Sequence, residues 1–209
     1  MTLRISGGRK LLSPPGEIVR PTASRVRLAV MNLLGPELPG CRWLDLCCGS
    51  GVMACEAIQR GADTVVAIEQ DRRIAAIAKA NLQAVAQGSP TNPRFWVHCS
   101  DVKLWLARGA WASSDSAKDR AGAFDLIYAD PPYAAGLYDA IAAGVNRGGW
   151  LKPNGLMVWE YATNGPPSLP AGWQLADQRR YGSTSVMLLK LDSAIEDGAA
   201  TVLVPCRHE

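Results

Sequence analysis

The sequence predicts an α/β fold: a mostly parallel seven-stranded sheet with helices on both faces and an antiparallel hairpin at one edge. Three observations carry this. From Arg42 onward, strand-like and helix-like segments alternate, the order that parallel strands with crossover helices require. Strands such as "TVVAIE" and "FDLIYA" are apolar at nearly every position, so both of their faces need cover. The stretch "GWQLADQRRYGSTSVMLLKL" holds two strand-like halves with no helix between them, which makes it the edge hairpin.

The elements follow in order. Residues 1–21 are rich in Gly, Pro and basic side chains and read as an arm with one short strand pair. "TASRVRLAVMNLL" has Val26, Val30, Leu33 and Leu34 at helical spacing, with Thr22 as its N-cap and Gly35-Pro36 as its end. "RWLDLCC" is the first strand and "VMACEAIQRG" a helix closed by Gly61. "TVVAIE" is the second strand. "RRIAAIAKANLQAVA" is a helix whose apolar face comprises Ile74, Ile77, Ala78, Leu82 and Val85. "RFWVHC", the short helix "VKLWLA", "FDLIYA", the helix "GLYDAIAAGV" and the strand "GLMVWEY" complete the alternation. Residues 108–122 and 163–172 are polar or Pro/Gly-rich connections. The expected organisation is an arm at 1–21, one domain at 22–192 and a tail at 193–209, where "ATVLVPC" either adds a strand or hangs loose.

Composition bounds the function. Net charge is only +3, but residues 1–27 carry six basic side chains against Glu17 alone, leaving the remainder slightly acidic. A basic arm on a near-neutral body points to a local polyanion contact, or to a solvated arm with no partner. The six cysteines include no C-x-x-C, and His98 and His208 have no ligand spacing, so a zinc site is not expected. If the first strand runs through Cys47-Cys48, those thiols face opposite ways and cannot act together. Reduced, buried thiols in a cytosolic protein are the expectation. No signal-peptide pattern opens the chain, and no apolar run reaches membrane-spanning length.

"LDLCCGSGVMACEA" places Gly49 and Gly51 between a strand and a helix, with Ala54 completing a G-x-G-x-x-A pattern. Glycine serves where the chain turns sharply and a ligand approaches the backbone. Such loops also merely connect strand to helix. Glu69, at the end of the next strand, is spaced to bind ribose hydroxyls. Either NAD or S-adenosylmethionine satisfies this pattern. Asp45 favours the second, because a carboxylate before the turn repels a diphosphate and suits a cation. Asp101, after the third strand, fits two roles equally: acceptor for an adenine amino group, or N-cap of "VKLWLA".

"DPPY", residues 130–133, ends the fourth strand. Two prolines cannot donate to a sheet and hold the preceding residue extended, which fixes Asp130 at the sheet's rim. An exocyclic base amine is a poor nucleophile because its lone pair is delocalised into the ring. The Asp130 carboxylate and the Pro131 carbonyl can accept its two N–H groups, drawing the nitrogen toward tetrahedral geometry and aligning it with a methyl carbon. Pro132 stiffens the turn, and Tyr133 offers a face on which an extruded base stacks. The bland alternative is a proline turn with an Asp cap, which the upstream glycine loop and Glu69 make a poor account.

Taken together, "RISGGRKL", "RPTASRVRLAVMNLL", "LDLCCGSGVMACEAIQRGA", "AIEQD", "YADPPY" and "YGSTSVMLL" make the chain resemble the RsmD family. These are Rossmann-like class I S-adenosylmethionine-dependent methyltransferases that modify N2 of guanine in small-subunit (16S) ribosomal RNA. The resemblance implies that Asp45, Cys47, Gly49 and Gly51 form the methionine side of the cofactor site, with Glu69 on the ribose and Asp101 on the adenine. It implies that Asp130, Pro131, Pro132 and Tyr133 hold the target guanine. It assigns RNA contacts to Arg9, Lys10, Arg20, Thr22 and Arg25. The implied cofactor is S-adenosyl-L-methionine, leaving as S-adenosyl-L-homocysteine. The implied partner is ribosomal RNA, free or within an assembled small subunit, met in the cytoplasm by a monomer without metal or membrane. Ser24 and Leu28 depart from the family pattern, which has acidic residues at both positions. The other readings are N6-adenine methylation of DNA or RNA, an NAD-dependent oxidoreductase, and a non-catalytic RNA-binding module on the same fold.

Overall fold

A computed structural model of the protein describes residues 3–14, 24–110, 123–132 and 136–192. Its elements are α1 (Ser24–Leu33), β1 (Arg42–Leu46), α2 (Val52–Gln59), β2 (Thr64–Glu69), α3 (Arg72–Gln87), β3 (Arg94–Cys99) and α4 (Val102–Leu106), then β4 (Phe124–Ala129), α5 (Tyr138–Arg147), β5 (Leu151–Ala162), β6 (Trp173–Tyr181) and β7 (Thr184–Leu191). The strands form one seven-stranded sheet in the order β3-β2-β1-β4-β5-β7-β6. The first five strands are mutually parallel, and β7 and β6 close the edge antiparallel.

Side-chain alternation along the strands makes two cores. Trp43, Val65, Ala67, Leu126, Tyr128, Val158, Val186 and Leu188 point to the face covered by α1, α2, α3 and the arm. Leu44, Val66, Ile68, Ile127, Met157, Trp159, Met187 and Leu189 point to the face covered by α4 and α5. On that second face, Trp105 and Trp150 stack with ring centroids 4.2 Å apart, and the Trp150 indole donates to the Leu106 carbonyl. This buried polar handle fixes where α5 returns to the sheet.

The arm has the expected strand pair in minimal form, a single antiparallel bridge between Arg4 and Lys10. It turns at Gly7 and Gly8, both with positive φ, and buries Ile5 and Leu11 in the first core. Of the expected apolar face of α1, Val26, Val30 and Leu34 are buried and Leu33 is half-buried, while Met31 and Arg27 join the buried side. On α3, Ile77 is only half-buried and Asn81 joins the buried face.

Three expectations change. Strand β1 ends at Leu46, two residues early, because Cys47 takes the left-handed conformation (φ 61°) and lifts the chain out of the sheet. Cys47 and Cys48 therefore do not alternate across a strand. Strand β5 begins at Leu151, ahead of Pro153. The missing proline donor is tolerated because the β4–β5 register shifts between Phe124 and Leu126. The Thr22 cap, most of the 108–122 loop and the 193–209 tail lie outside the described residues. Among the described residues, no helix is long and apolar enough to cross a membrane.

Candidate active site

Strand register assembles the site. Leu46 pairs with Ile68 on one side and Ala129 on the other, so Cys47 leaves the sheet between Glu69 and Asp130. Glu69 in turn pairs with Cys99, two residues before Asp101. Parallel strands lie about 4.8 Å apart, so Asp101, Glu69, the 47–51 loop and Asp130 line one rim of the sheet across four adjacent strands. The chain runs outward from β1 through β2 to β3, then restarts at β4 on the opposite side. The rim at β1 is thus the topological switch point, where open α/β sheets bind their ligands.

The glycine loop is locked from both ends. Gly49 and Gly51 have φ 54° and 74°, conformations that strain other residues. A Cβ on Gly51 would stand 2.7 Å from Leu82 Cδ1 and 3.2 Å from Ala78 Cβ, so this turn also packs against α3 too closely for a side chain. The Gly49 amide donates to Glu69 Oε2 at 3.0 Å, and the Asp71 amide donates to Glu69 Oε1 at 2.9 Å. Glu69, 9% exposed, therefore ties the loop to the second strand and still reaches the surface of the rim. The Gly51 amide closes the turn on the Cys48 carbonyl.

Asp45 is 1% exposed and accepts from the Ala54 amide at 3.0 Å, capping the first turn of α2 from inside the sheet. Burial pushes its carboxyl up to about 8; the Ala54 hydrogen bond opposes this and the charge of Glu69 adds to it. The Cys47 thiol is pushed up to about 12, by burial first and then by Glu69, Asp45, Asp130 and Asp101. That environment includes the charge of all four sequence-derived carboxylates. It also makes Cys47 a neutral wall rather than a nucleophile.

Asp101 is the N-cap of α4, accepting from the Lys103 and Leu104 amides at 2.8 and 3.0 Å, both through Oδ1. The cap is therefore made. Asp130 follows β4 directly at intermediate burial, with Pro131 buried beneath it and Pro132 exposed. Tyr133 lies outside the described residues, as do Arg20 and Thr22. Arg25 is exposed on α1, and Lys10 is exposed at the arm's bridge. Arg9 is exposed as well, but its guanidinium donates to the Ala84 carbonyl near the end of α3.

The sequence reading missed several supports. Tyr128, two residues before Asp130, donates its hydroxyl to buried Glu160, and Tyr138 donates to the Glu160 carbonyl at 2.7 Å. The two ends of the segment that contains "DPPY" are thus pinned to the same residue of β5. Buried Arg27 donates to Glu56 at 2.9 Å and to the Arg4 carbonyl, holding the arm against α1 and α2. Only one signal was available for these: polar residues at apolar positions of otherwise regular patterns.

The donor set fits a cationic nucleoside cofactor better than a dinucleotide. In diphosphate-binding loops, backbone amides point at the phosphates. Here the amides of Gly49, Gly51 and Ala54 are already taken by Glu69, Cys48 and Asp45. The rim supplies carboxylates instead. Among the described residues, no group of three or more His, Cys, Asp and Glu is placed to hold a metal ion.

Known proteins are similar to this one along nearly the whole chain. Ribosomal RNA small subunit methyltransferase D of Escherichia coli (strain K12) is 30% identical over 202 residues, 94% of this chain and 94% of the relative. The protein of the same name from Haemophilus influenzae is 29% identical over 181 residues, 87% of this chain and 88% of its own length. The solved structure of yhhF from Escherichia coli has a TM-score of 0.71 at 27% identity, covering 89% of this chain and 93% of that one. The rRNA methyltransferase aviRa of Streptomyces viridochromogenes has the same fold, with a TM-score of 0.64 at 18% identity over 90% of this chain and 92% of its own. The family model described as conserved hypothetical protein 95 matches residues 3–190, and the chain accordingly belongs to that family, the RsmD family, on a class I methyltransferase fold.

Proposed function

We propose that this protein transfers a methyl group from S-adenosyl-L-methionine to the exocyclic N2 of a guanine in small-subunit ribosomal RNA. The observation that carries this reading is the convergence of Asp45, Glu69, Asp101 and Asp130 around Cys47 at the switch point of the sheet. The relatives' name supplies the substrate class.

Bound cofactor supplies an electrophilic methyl on a sulfonium. Glu69 accepts from the ribose hydroxyls while keeping the glycine loop in place. Asp45 balances the ammonium of the amino-acid end through the loop, and Asp101 accepts from the adenine amine. Asp130 and the Pro131 carbonyl accept the two N–H groups of the target amine and point its lone pair into the cleft. No strong base is needed, because the amine proton becomes acidic only as the N–C bond forms. Tyr133 stacks on the extruded base. The exposed basic residues Lys10 and Arg25, with Arg20, contact RNA phosphates. Such a substrate is met in the cytoplasm.

Thermal denaturation with ligand tests the cofactor assignment. S-adenosylhomocysteine at about 100 times its Kd should stabilise the fold by about 2.7 kcal/mol and raise Tm by several degrees; NAD should leave Tm unchanged. A shift with NAD instead would return the glycine loop to the oxidoreductase reading. Methyl transfer from labelled cofactor to small subunits lacking the modification, followed by mapping of the labelled base, tests N2 of guanine against N6 of adenine.

The pH dependence of cofactor binding follows from Asp45. Its carboxyl is held neutral up to about 8, and the ammonium of the ligand's amino-acid end pairs with the ionised form. Binding therefore expels a proton below that pH. The affinity for S-adenosylhomocysteine should rise from pH 6 toward 8 by up to about tenfold per unit, then level off. Calorimetry in buffers of different ionisation enthalpy reads the released proton directly. An Asp45→Asn protein should show a flat profile; a flat profile in the unaltered protein would remove Asp45 from the cofactor's charge balance.

A further inference from the structure

The arm and the glycine loop meet at one side chain. Asn81, in the middle of α3, is 2% exposed. Its amide nitrogen donates to the Leu12 carbonyl at 3.0 Å and to the Ser50 carbonyl at 2.9 Å; its oxygen accepts from the Leu12 amide at 2.8 Å. Leu12 thus pairs with Asn81 as a strand residue pairs with its neighbour, and the remaining N–H reaches the loop. Ser50 stands between Gly49 and Gly51, whose backbone is soft because neither carries a Cβ. The restraint on the carbonyl between them therefore adds to the Glu69 and Cys48 bonds that shape the loop. The rest of the arm sits on the helices that frame that loop. Ser6 donates its amide to Glu56 of α2, Arg9 donates to the Ala84 carbonyl of α3, and Ile5 and Leu11 are buried.

We propose that Asn81 is a positioning residue that couples docking of the basic arm to the shape of the 49–51 loop, so that RNA held by the arm tightens cofactor binding. By linkage, bound cofactor tightens RNA by the same factor. The inference rests on the methyl-transfer reading and goes beyond it, since it predicts an energetic link between two sites joined by one amide. A merely structural asparagine would change Tm and leave the two affinities independent.

Equilibrium dialysis of radiolabelled S-adenosylhomocysteine, with and without saturating unmodified small subunits, tests this. Subunits should lower the Kd of the unaltered protein about tenfold, within the usual range of such couplings. Asn81→Ala should raise the Kd in the absence of subunits by about tenfold and abolish the gain on adding them. Its KM for the methyl donor should rise in step, with kcat at saturating donor nearly kept. Ile5→Ala loosens the arm while leaving Asn81 and the loop unaltered, and should lose most of the gain. A folded Asn81→Ala protein that binds as the unaltered one does, or that keeps the gain, overturns the coupling. Should Asn81→Ala not fold, an undiminished gain in Ile5→Ala overturns it. An unaltered protein that binds S-adenosylhomocysteine with no gain from subunits also overturns it. One that binds none at all instead overturns the methyl-transfer reading on which the coupling rests.

Discussion

Replacement of Asp130 by Ala should lower kcat for methyl transfer by about 10²–10³-fold, equivalent to about 3–4 kcal/mol of transition-state stabilisation. The carboxylate's proposed task is to hold a weakly nucleophilic amine in line with the methyl carbon, and misplacement of a reacting group alone can cost about 10²-fold. Cofactor binding should persist, because Glu69 and the 49–51 loop are held by bonds that do not involve Asp130. Asp130→Asn, which keeps one acceptor oxygen, should fall between the two. Single-turnover transfer to small subunits, beside a thermal shift with S-adenosylhomocysteine, separates the outcomes. A folded, cofactor-binding Asp130→Ala protein that methylates at the normal rate would remove this residue from the chemistry. Loss of the thermal shift along with activity would reassign it to the cofactor site.

The largest stability effect should come from Glu56→Leu. Glu56 is fully buried, accepts from Arg27 at 2.9 Å and from the Ser6 amide at 2.9 Å, and among the described residues its other close cation is Arg60, at 4.0 Å. Removing it strands the buried Arg27 guanidinium, and breaking such a pair from one side costs about 3–5 kcal/mol. In a domain of this size, that lowers Tm by roughly 6–20 °C. The double variant Arg27→Met with Glu56→Leu should recover much of the loss, because the uncompensated charge goes with the arginine. Calorimetry on the two single variants and the double variant measures the cycle. If Glu56→Leu melted within two degrees of the unaltered protein, the pair would not be the arm's anchor.

Much of the fold was legible because local chemistry and tertiary packing agree. "TVVAIE" and "RFWVHC" are strands to the residue, and α3 follows its 3.6-residue period with Asp71 as the N-cap. Where the reading slipped, a tertiary demand overrode the local signal. Cys47 lies in an apolar run that favours a strand, yet it must turn so that the glycine loop can fold back on α3. The strand read as "GLMVWEY" starts four residues earlier, at Leu151, and runs through Pro153 because the β4–β5 register shifts nearby.

The candidate site divides along the same line. Its carboxylates were readable because each stands at or within two residues of the end of a strand, and in a parallel sheet the strand ends share one rim. Periodicity and residue type therefore determined the α/β class, the glycine loop and the row formed by Asp101, Glu69, Asp45 and Asp130. They left Asp101 open between adenine acceptor and helix cap, and the tertiary structure shows the cap made. Tertiary structure alone decided that Arg27, Glu56 and Asn81 are buried partners. Their hydrogen bonds join segments 23 to 69 residues apart, and nothing within one helix's period tells a buried amide from a solvated one. The cause is range: a pattern reports which face of an element is apolar, whereas a buried polar group is satisfied by whatever distant backbone the fold brings to it.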